Sequence, residues 1–208
     1  KELNVVIKSV LGIYLEVAAR NYSAVPGENV PVYFEAVNRS NTNVTLKSVV
    51  IEGVNKSITV NKGLSNNMRM MSNDTIMIPN EMAYSQPYWL DKEGSLGMYQ
   101  VDDQEKIGLA ENPAALSATF YLEIDGQIFD YTTDVIYKRS DRVKGEVYRP
   151  FVITPPVMAD IKESVLIFPD NEPKTVTVVV KSGRSDVKGV VKLNLPNGWK
   201  SNPAQVNY

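Results

Sequence analysis

The chain has 208 residues, of which 43% are hydrophobic and 22% are charged, and its net charge is −2. It contains no cysteine and no histidine, which excludes disulfides, Ser-His-Asp and Cys-His nucleophile systems, and the usual thiolate and imidazole zinc sites. The interspersed charges give no electrostatic footprint for nucleic acid, and no apolar run approaches the ~20 residues of a membrane span. We therefore expect a globular protein with no cofactor, no nucleic-acid partner and no membrane span.

Residues 1–12 carry apolar side chains at helical spacing. The i, i+3, i+4, i+7, i+8 pattern is formed by Leu3, Val6, Ile7, Val10 and Leu11. It predicts a short amphipathic helix that ends at Gly12, with an early start of the first strand as the alternative. Because no initiator Met or signal-like segment is present, we interpret residues 1–12 as a connecting segment within a longer protein.

From residue 13 to residue 154 the apolar pattern changes to a period of two, which is typical of β-strands. The clearest alternation is at Leu116, Ala118, Phe120, Leu122 and Ile124. Asp125-Gly126 follows and predicts a two-residue hairpin turn. Turn signals recur about every ten residues, so we predict an all-β domain: an antiparallel, Ig-like β-sandwich of about eight to ten strands.

Two further features of this domain lead to predictions of their own. Lys138–Arg142 has the composition of a charged turn, after which a final strand is predicted. A methionine cluster consists of Met68, Met70, Met71 and Met77. We predict that these side chains fill gaps in the core, with an exposed Met-rich binding face as the alternative.

The Thr154-Pro-Pro156 segment predicts a domain boundary, because two prolines stiffen the chain and cannot donate to a sheet. Strand-like alternation then restarts and predicts a second, smaller Ig-like β unit over residues 157–208. A full Ig-type sandwich has about 100 residues. We therefore expect this second unit to be incomplete.

A long loop, residues 84–113, interrupts the strand pattern and is rich in aromatic residues, proline and glycine. Loops of this length in compact domains are often functional. The candidate contact residues are Tyr84, Tyr88, Trp89 and Tyr99. Their rings could pack the loop onto the sheet, dock against a neighbouring domain, or stack on the flat faces of sugars.

The same loop is acidic, with carboxylates at Asp91, Glu93, Asp102, Asp103 and Glu105. Their spacing matches no EF-hand loop, so we predict solvated charges and no metal site. A carboxylate pair for glycoside hydrolysis is a further alternative, but it needs two acids across a cleft. No catalytic residue is assigned from the sequence.

Several short segments of residues 1–155 resemble the C-terminal region of large bacterial PIG-L/LmbE-like deacetylases of the Bacteroidetes type. The segments are Gly12-Ile-Tyr-Leu-Glu-Val17, Tyr22-Ser-Ala-Val-Pro-Gly27, Ala36-Val-Asn-Arg-Ser40, Tyr84-Ser-Gln-Pro-Tyr-Trp-Leu90, Gly97-Met-Tyr99, Ile107-Gly-Leu109, Glu111-Asn-Pro113 and Lys144-Gly-Glu-Val-Tyr-Arg-Pro150. In residues 157–208, Leu195-Pro-Asn-Gly-Trp199 is similar to the small Ig-like domain found beside carbohydrate-binding modules.

Enzymes of that family are zinc-dependent hydrolases that remove acetyl groups from N-acetylglucosamine-type sugars. Their Pro-His-Pro-Asp-Asp metal motif has no counterpart here, because the chain has no histidine. The resemblance therefore implies a non-catalytic accessory region, periplasmic or extracellular, that supports an upstream catalytic domain of the same polypeptide. The alternatives are a carbohydrate-binding module that uses Tyr88, Trp89 and Tyr99 to contact a glycan, and an enzyme in its own right.

Overall fold

The computed structural model describes residues 2–208, and the fold is all-β, as the sequence predicts. The chain divides into two compact units, of which unit 1 extends to Ile153 and unit 2 is Thr154–Tyr208. The elements of unit 1 are α1 (Glu2–Val10), β1 (Tyr14–Ala19), β2 (Ser23–Ala24), β3 (Asn29–Val37), β4 (Val44–Ile51), β5 (Lys56–Gly63), β6 (Met70–Met77), β7 (Ser117–Ile124), β8 (Gln127–Asp141), β9 (Gly145–Pro150) and β10 (Val152–Ile153). Those of unit 2 are β11 (Val157–Ile161), β12 (Val178–Ser182), β13 (Val190–Val191) and β14 (Val206–Asn207).

Unit 1 is a β-sandwich whose two layers share strand β8. The first half of β8 pairs with β7, in a layer ordered β5-β4-β7-β8. Its second half pairs with β9 and β1, in a layer ordered β9-β8-β1-β3-β6. Strands that switch sheets in this way form the corners of sandwiches. Most pairs are antiparallel, but β1–β8 and β2–β10 are parallel, a difference that alternation alone does not reveal.

The core lies between the two layers because one face of each strand is apolar. Phe34 of β3 and Phe120 of β7 are fully buried and meet edge to face, with ring centroids 6.4 Å apart. Such ring pairs add about 0.5–1.5 kcal/mol to the burial of their area. The predicted Asp125-Gly126 turn joins β7 to β8, and both residues have positive φ, 46° and 83°, as a two-residue hairpin requires.

The prediction that the methionine cluster fills the core is wrong for three of its four members. Met70 is buried, whereas Met68, Met71 and Met77 are exposed. The period of two explains the difference, because Met70 and Ile76 of β6 face the core and their neighbours Met71 and Met77 face away.

The predicted turn at Lys138–Arg142 is also displaced. Strand β8 continues to Asp141, and the turn to β9 comprises residues 142–144. The charged side chains in this stretch belong to a paired strand, because β8 pairs with β9 as far as Asp141. Lys138 also has an ion-pair partner on β1.

Helix α1 occupies the segment whose apolar spacing is helical. Gly12 follows it with φ of 58°, the left-handed conformation that commonly ends a helix. The backbone amide of Ile13 donates to the carbonyl of Lys8 at 3.0 Å, and that of Gly12 donates to Ser9 at 3.1 Å. Ile7 and Leu11 pack against the core. Neither this nine-residue helix nor any other in residues 2–208 has the length and apolarity to cross a bilayer.

Unit 2 contains two two-stranded antiparallel sheets, β11–β12 and β13–β14. None of its residues is fully buried. Within this unit the rings of Phe168 and Trp199 meet edge to face, with centroids 4.7 Å apart.

Candidate functional site

The loop of residues 84–113 joins β6 to β7 and is fixed at its base. Ser85 and Ile153 form two hydrogen bonds: the Ser85 amide donates to the Ile153 carbonyl at 2.8 Å, and the Ile153 amide donates to Ser85 Oγ at 3.0 Å. Within the loop, Tyr88–Leu90 and Gln104–Lys106 form short 3₁₀ helices. The segment is thus ordered by specific contacts although it lacks strand or helix periodicity.

Asn112 joins the two ends of this loop. Its Oδ1 accepts a hydrogen bond from the Tyr88 amide at 2.9 Å, and its Nδ2 donates to the Gln86 carbonyl at 2.6 Å. The Tyr88 hydroxyl donates to the Leu109 carbonyl at 3.2 Å. Because Tyr88 directly precedes Trp89 in the chain, these hydrogen bonds also restrain the backbone position of Trp89.

The four predicted aromatic residues have different environments. Tyr84 and Tyr99 are 50% and 68% exposed, so neither ring packs the loop onto the sheet. Tyr88 and Trp89 are half-buried and meet edge to face, with ring centroids 4.9 Å apart. The structure brings Trp89 and Tyr99 together as walls of one open pocket of about 600 Å³, whereas Tyr84 and Tyr88 are not among its lining residues.

Two glycines shape the wall of this pocket. A Cβ on Gly94 would lie 2.8 Å from the carbonyl oxygen of Met98, so only glycine allows the backbone to come this close. Gly97 has φ of 82° and permits the tight turn between Ser95 and Met98, whose backbones exchange hydrogen bonds of 3.0 and 3.3 Å. The pocket volume lies within the range of about 300–1,000 Å³ that small-molecule sites occupy.

The pocket carries both signs of charge. Asp91 accepts a hydrogen bond from Gln86 Nε2 at 2.7 Å, and Lys92 forms an ion pair with Asp102. Glu93 has no ion-pair or hydrogen-bond partner for its side chain among residues 2–208. All the predicted acidic side chains of the loop are exposed, and the described residues contain no group of three acidic side chains that could hold a metal ion.

A second polar cluster, which sequence reasoning missed, lies on the outer face of the β9-β8-β1-β3-β6 layer. Glu16 and Glu35 are buried and lie directly opposite each other on β1 and β3. Like charges in this position destabilise a sheet unless each is paired. Lys138 contacts Glu16 Oε1 at 2.5 Å, and Arg69 contacts Glu35 Oε2 at 2.7 Å.

Tyrosines complete this cluster. The Tyr14 hydroxyl donates to Glu16 Oε2 at 2.6 Å, and burial together with this hydrogen bond raises the pKa of Tyr14 above its ordinary value. Burial alone would lower the pKa of Lys138, but its hydrogen bond and ion pair with Glu16 outweigh that effect and raise the pKa. Lys138 also lies over the rings of Tyr33 and Tyr148, 6.0 and 5.8 Å from their centroids.

The cluster is a paired surface rather than an open site, because its buried carboxylates already have cationic partners. In the sequence, the only sign of this cluster is that Glu16 and Glu35 occur within otherwise apolar strands. Their partners lie far away in sequence, so spacing could not identify them.

No family model matches the chain, and no curated protein matches it.

Proposed function

We propose that this chain is a non-catalytic accessory region that supports and docks a zinc hydrolase domain of the same polypeptide, of the PIG-L/LmbE-like deacetylase type. The proposal includes export to the periplasm or the cell exterior. It assigns no reaction to the chain itself, which has neither imidazole nor thiol. The resemblance of segments within residues 1–155 to the C-terminal region of such enzymes supports the proposal.

One observation carries the docking proposal: unit 1 covers only one edge of the apolar stripe of helix α1. Ile7 and Leu11 contact the core of unit 1. Along the other edge of the same stripe, Leu3, Val6 and Val10, spaced i, i+3 and i+7, are 66%, 56% and 77% exposed. The apolar stripe is therefore wider than the part that unit 1 covers, which favours a second packing partner at its exposed edge. The proposed hydrolase domain would cover the stripe formed by Leu3, Val6 and Val10.

The first test is the gene that encodes the chain. A Pro-His-Pro-Asp-Asp motif and a later histidine encoded upstream of Lys1 would support the proposal. A coding sequence with no such hydrolase domain upstream would contradict it.

The second test compares hydrogen exchange in the full-length polypeptide with exchange in residues 1–208. The amides of α1 should be protected more strongly in the full-length protein, and a Leu3→Ser/Val6→Ser/Val10→Ser variant should lose this extra protection. Val143→Ser is the matched control, because Val143 is exposed in the turn between β8 and β9. Equal protection of α1 in both lengths would show that no domain docks on this face.

A second candidate function is carbohydrate binding by the loop. The observation in its favour is that Trp89 and Tyr99 line one pocket whose other walls include polar side chains. Aromatic faces with nearby polar groups are the usual elements of a small-molecule site. Calorimetric titration with neutral and amino-sugar oligomers tests it, and an absence of heat with all of them would remove this candidate.

A further inference from the structure

We call the pocket lined by Trp89, Tyr99 and residues between them the loop pocket, and its lining carries more negative than positive charge. Its lining includes Asp91, Lys92 and Glu93. The positive charge of Lys92 is offset by Asp102, with which it forms an ion pair. Asp91 is hydrogen-bonded to a neutral amide, and Glu93 is unpaired among the described residues. Two carboxylates therefore remain without a cationic partner at this site.

The rings of the loop pocket are also free of protein cations. Elsewhere in residues 2–208, lysine and arginine lie over the rings of Tyr14, Tyr33, Tyr131, Tyr148 and Phe168. None of these pairs uses Trp89 or Tyr99. Indole is the side chain whose face attracts cations most strongly. Trp89 is held in place by the edge-to-face contact with Tyr88 and by the hydrogen bonds of Tyr88 to Asn112 and Leu109.

We propose that the loop pocket binds an organic ammonium group, that is, a positively charged nitrogen on a sugar or alkyl body. The ring faces attract the cation and contact its apolar body, while Asp91 and Glu93 supply the negative potential. The backbone hydrogen bonds between Ser95 and Met98 restrain the pocket wall, so little ordering is needed when a ligand binds. The proposal is independent of the docking role of α1, and it differs from plain carbohydrate binding because the charge of the ligand decides its affinity.

Two sources could supply this chemistry, an amino sugar or an alkylammonium compound. The test is titration of the full chain, followed by NMR or calorimetry, with four probes: glucosamine, glucose, choline and acetate. Glucosamine or choline should bind at least tenfold more tightly than glucose, and acetate should not bind. Glucosamine binding without choline binding identifies the amino sugar, and the reverse result identifies the alkylammonium compound.

Variants locate the binding and test its cause. Glu93→Gln should weaken ammonium binding several-fold and reduce its dependence on salt, because an exposed carboxylate attracts cations through a screened interaction. Glu111→Gln is the matched control, since Glu111 is an exposed acid of the same loop outside the loop pocket. Tyr99→Leu should weaken binding without unfolding the sandwich, because Tyr99 is mostly exposed.

Three outcomes would overturn the proposal. They are equal affinity for glucose and glucosamine, binding by neither ammonium probe, and an equal effect of Glu93→Gln and Glu111→Gln. Equal affinity for the two sugars would leave plain carbohydrate binding standing. None of these results bears on α1, so the docking proposal succeeds or fails separately.

Discussion

Lys138 and Glu16 form the closest ion pair of the outer sheet face, with Lys138 Nζ 2.5 Å from Glu16 Oε1. The side chains are only 13% and 6% exposed, although they lie on the face that points away from the core. Removing one partner of such a pair leaves the other charge poorly solvated. The pair also joins β8 to β1 at the point where β8 enters its second layer.

The first prediction concerns this pair. Glu16→Gln should lower the free energy of unfolding by about 3 kcal/mol, because Lys138 would lose its main partner and retain only Glu146 at 3.8 Å. Urea denaturation measures the change. The control is Glu123→Gln at the exposed pair with Lys47, where the loss should stay below about 1 kcal/mol. Equal losses at the two sites would contradict the prediction.

Alkaline pH should destabilise the same face. The folded-state pKa values of Tyr14 and Lys138 are raised above their ordinary values of 10.0 and 10.5, so the folded state holds these protons more tightly than the unfolded state. The stability that they contribute is complete below about pH 10 and is lost as the pH rises towards the folded-state values. Denaturation between pH 9 and 11.5 measures the decline, which Tyr14→Phe should make shallower. An unchanged slope in Tyr14→Phe would rule out this cause.

The contact between the layers should be sensitive to truncation. Phe34→Ala removes a fully buried ring that meets Phe120 across the core, and we expect a loss of about 3–5 kcal/mol in unfolding free energy. Met68→Ala is a suitable control, because Met68 is exposed and its change should stay within about 0.5 kcal/mol. A loss at Phe34 as small as at Met68 would show that the ring does not hold the layers together.

Gly94→Ala should disturb the loop pocket without unfolding the sandwich. The added Cβ would lie 2.8 Å from the Met98 carbonyl oxygen, so the turn between Ser95 and Met98 must move. Hydrogen exchange at the amides of Ser95 and Met98 should accelerate, while the urea midpoint of unit 1 stays the same. Gly63→Ala is the matched control, because a Cβ there meets nothing within 4 Å. Unchanged exchange in Gly94→Ala would argue against the described turn.

The turn from β8 to β9 should open in acid. The Asp141 carboxylate accepts hydrogen bonds from the Lys144 and Val143 amides, each at 2.9 Å, and they hold its pKa below the ordinary 3.8. The turn is therefore stabilised above about pH 3.8 and loses this stabilisation as the pH falls through the folded-state pKa. NMR chemical shifts of the Val143 and Lys144 amides measure the transition. Asp141→Ala should abolish it, whereas Asp141→Asn retains an acceptor oxygen and should keep the turn.

The fold class could be predicted because burial on one face imposes a period of two on the strands. The alternation from Leu116 to Ile124 and the Asp125-Gly126 turn identified the hairpin of β7 and β8 correctly. The same rule, applied to β6, separates buried Met70 from exposed Met71 and Met77, which composition alone did not. The parallel contact of β1 with β8 joins residues more than 100 positions apart, and no local pattern reports such a pairing.

The loop was recognised as a candidate site from its aromatic residues, but its geometry was not predictable. Nothing in the spacing of Trp89 and Tyr99 shows that they line one pocket while Tyr84 remains outside it. That arrangement depends on the hydrogen bonds of Asn112 and on the close backbone approach at Gly94. The ion pair of Glu16 and Lys138 was not predicted for a similar reason, because only the pairing of β1 with β8 brings these two residues together.

Strand β8 gives unit 1 a mechanical property. Because one continuous backbone serves both layers, tension along that strand is transmitted to β7 in one sheet and to β1 and β9 in the other. The layers cannot peel apart one after the other while β8 stays in register. Unit 1 should therefore yield to a pulling force in a single step, as one rupture event.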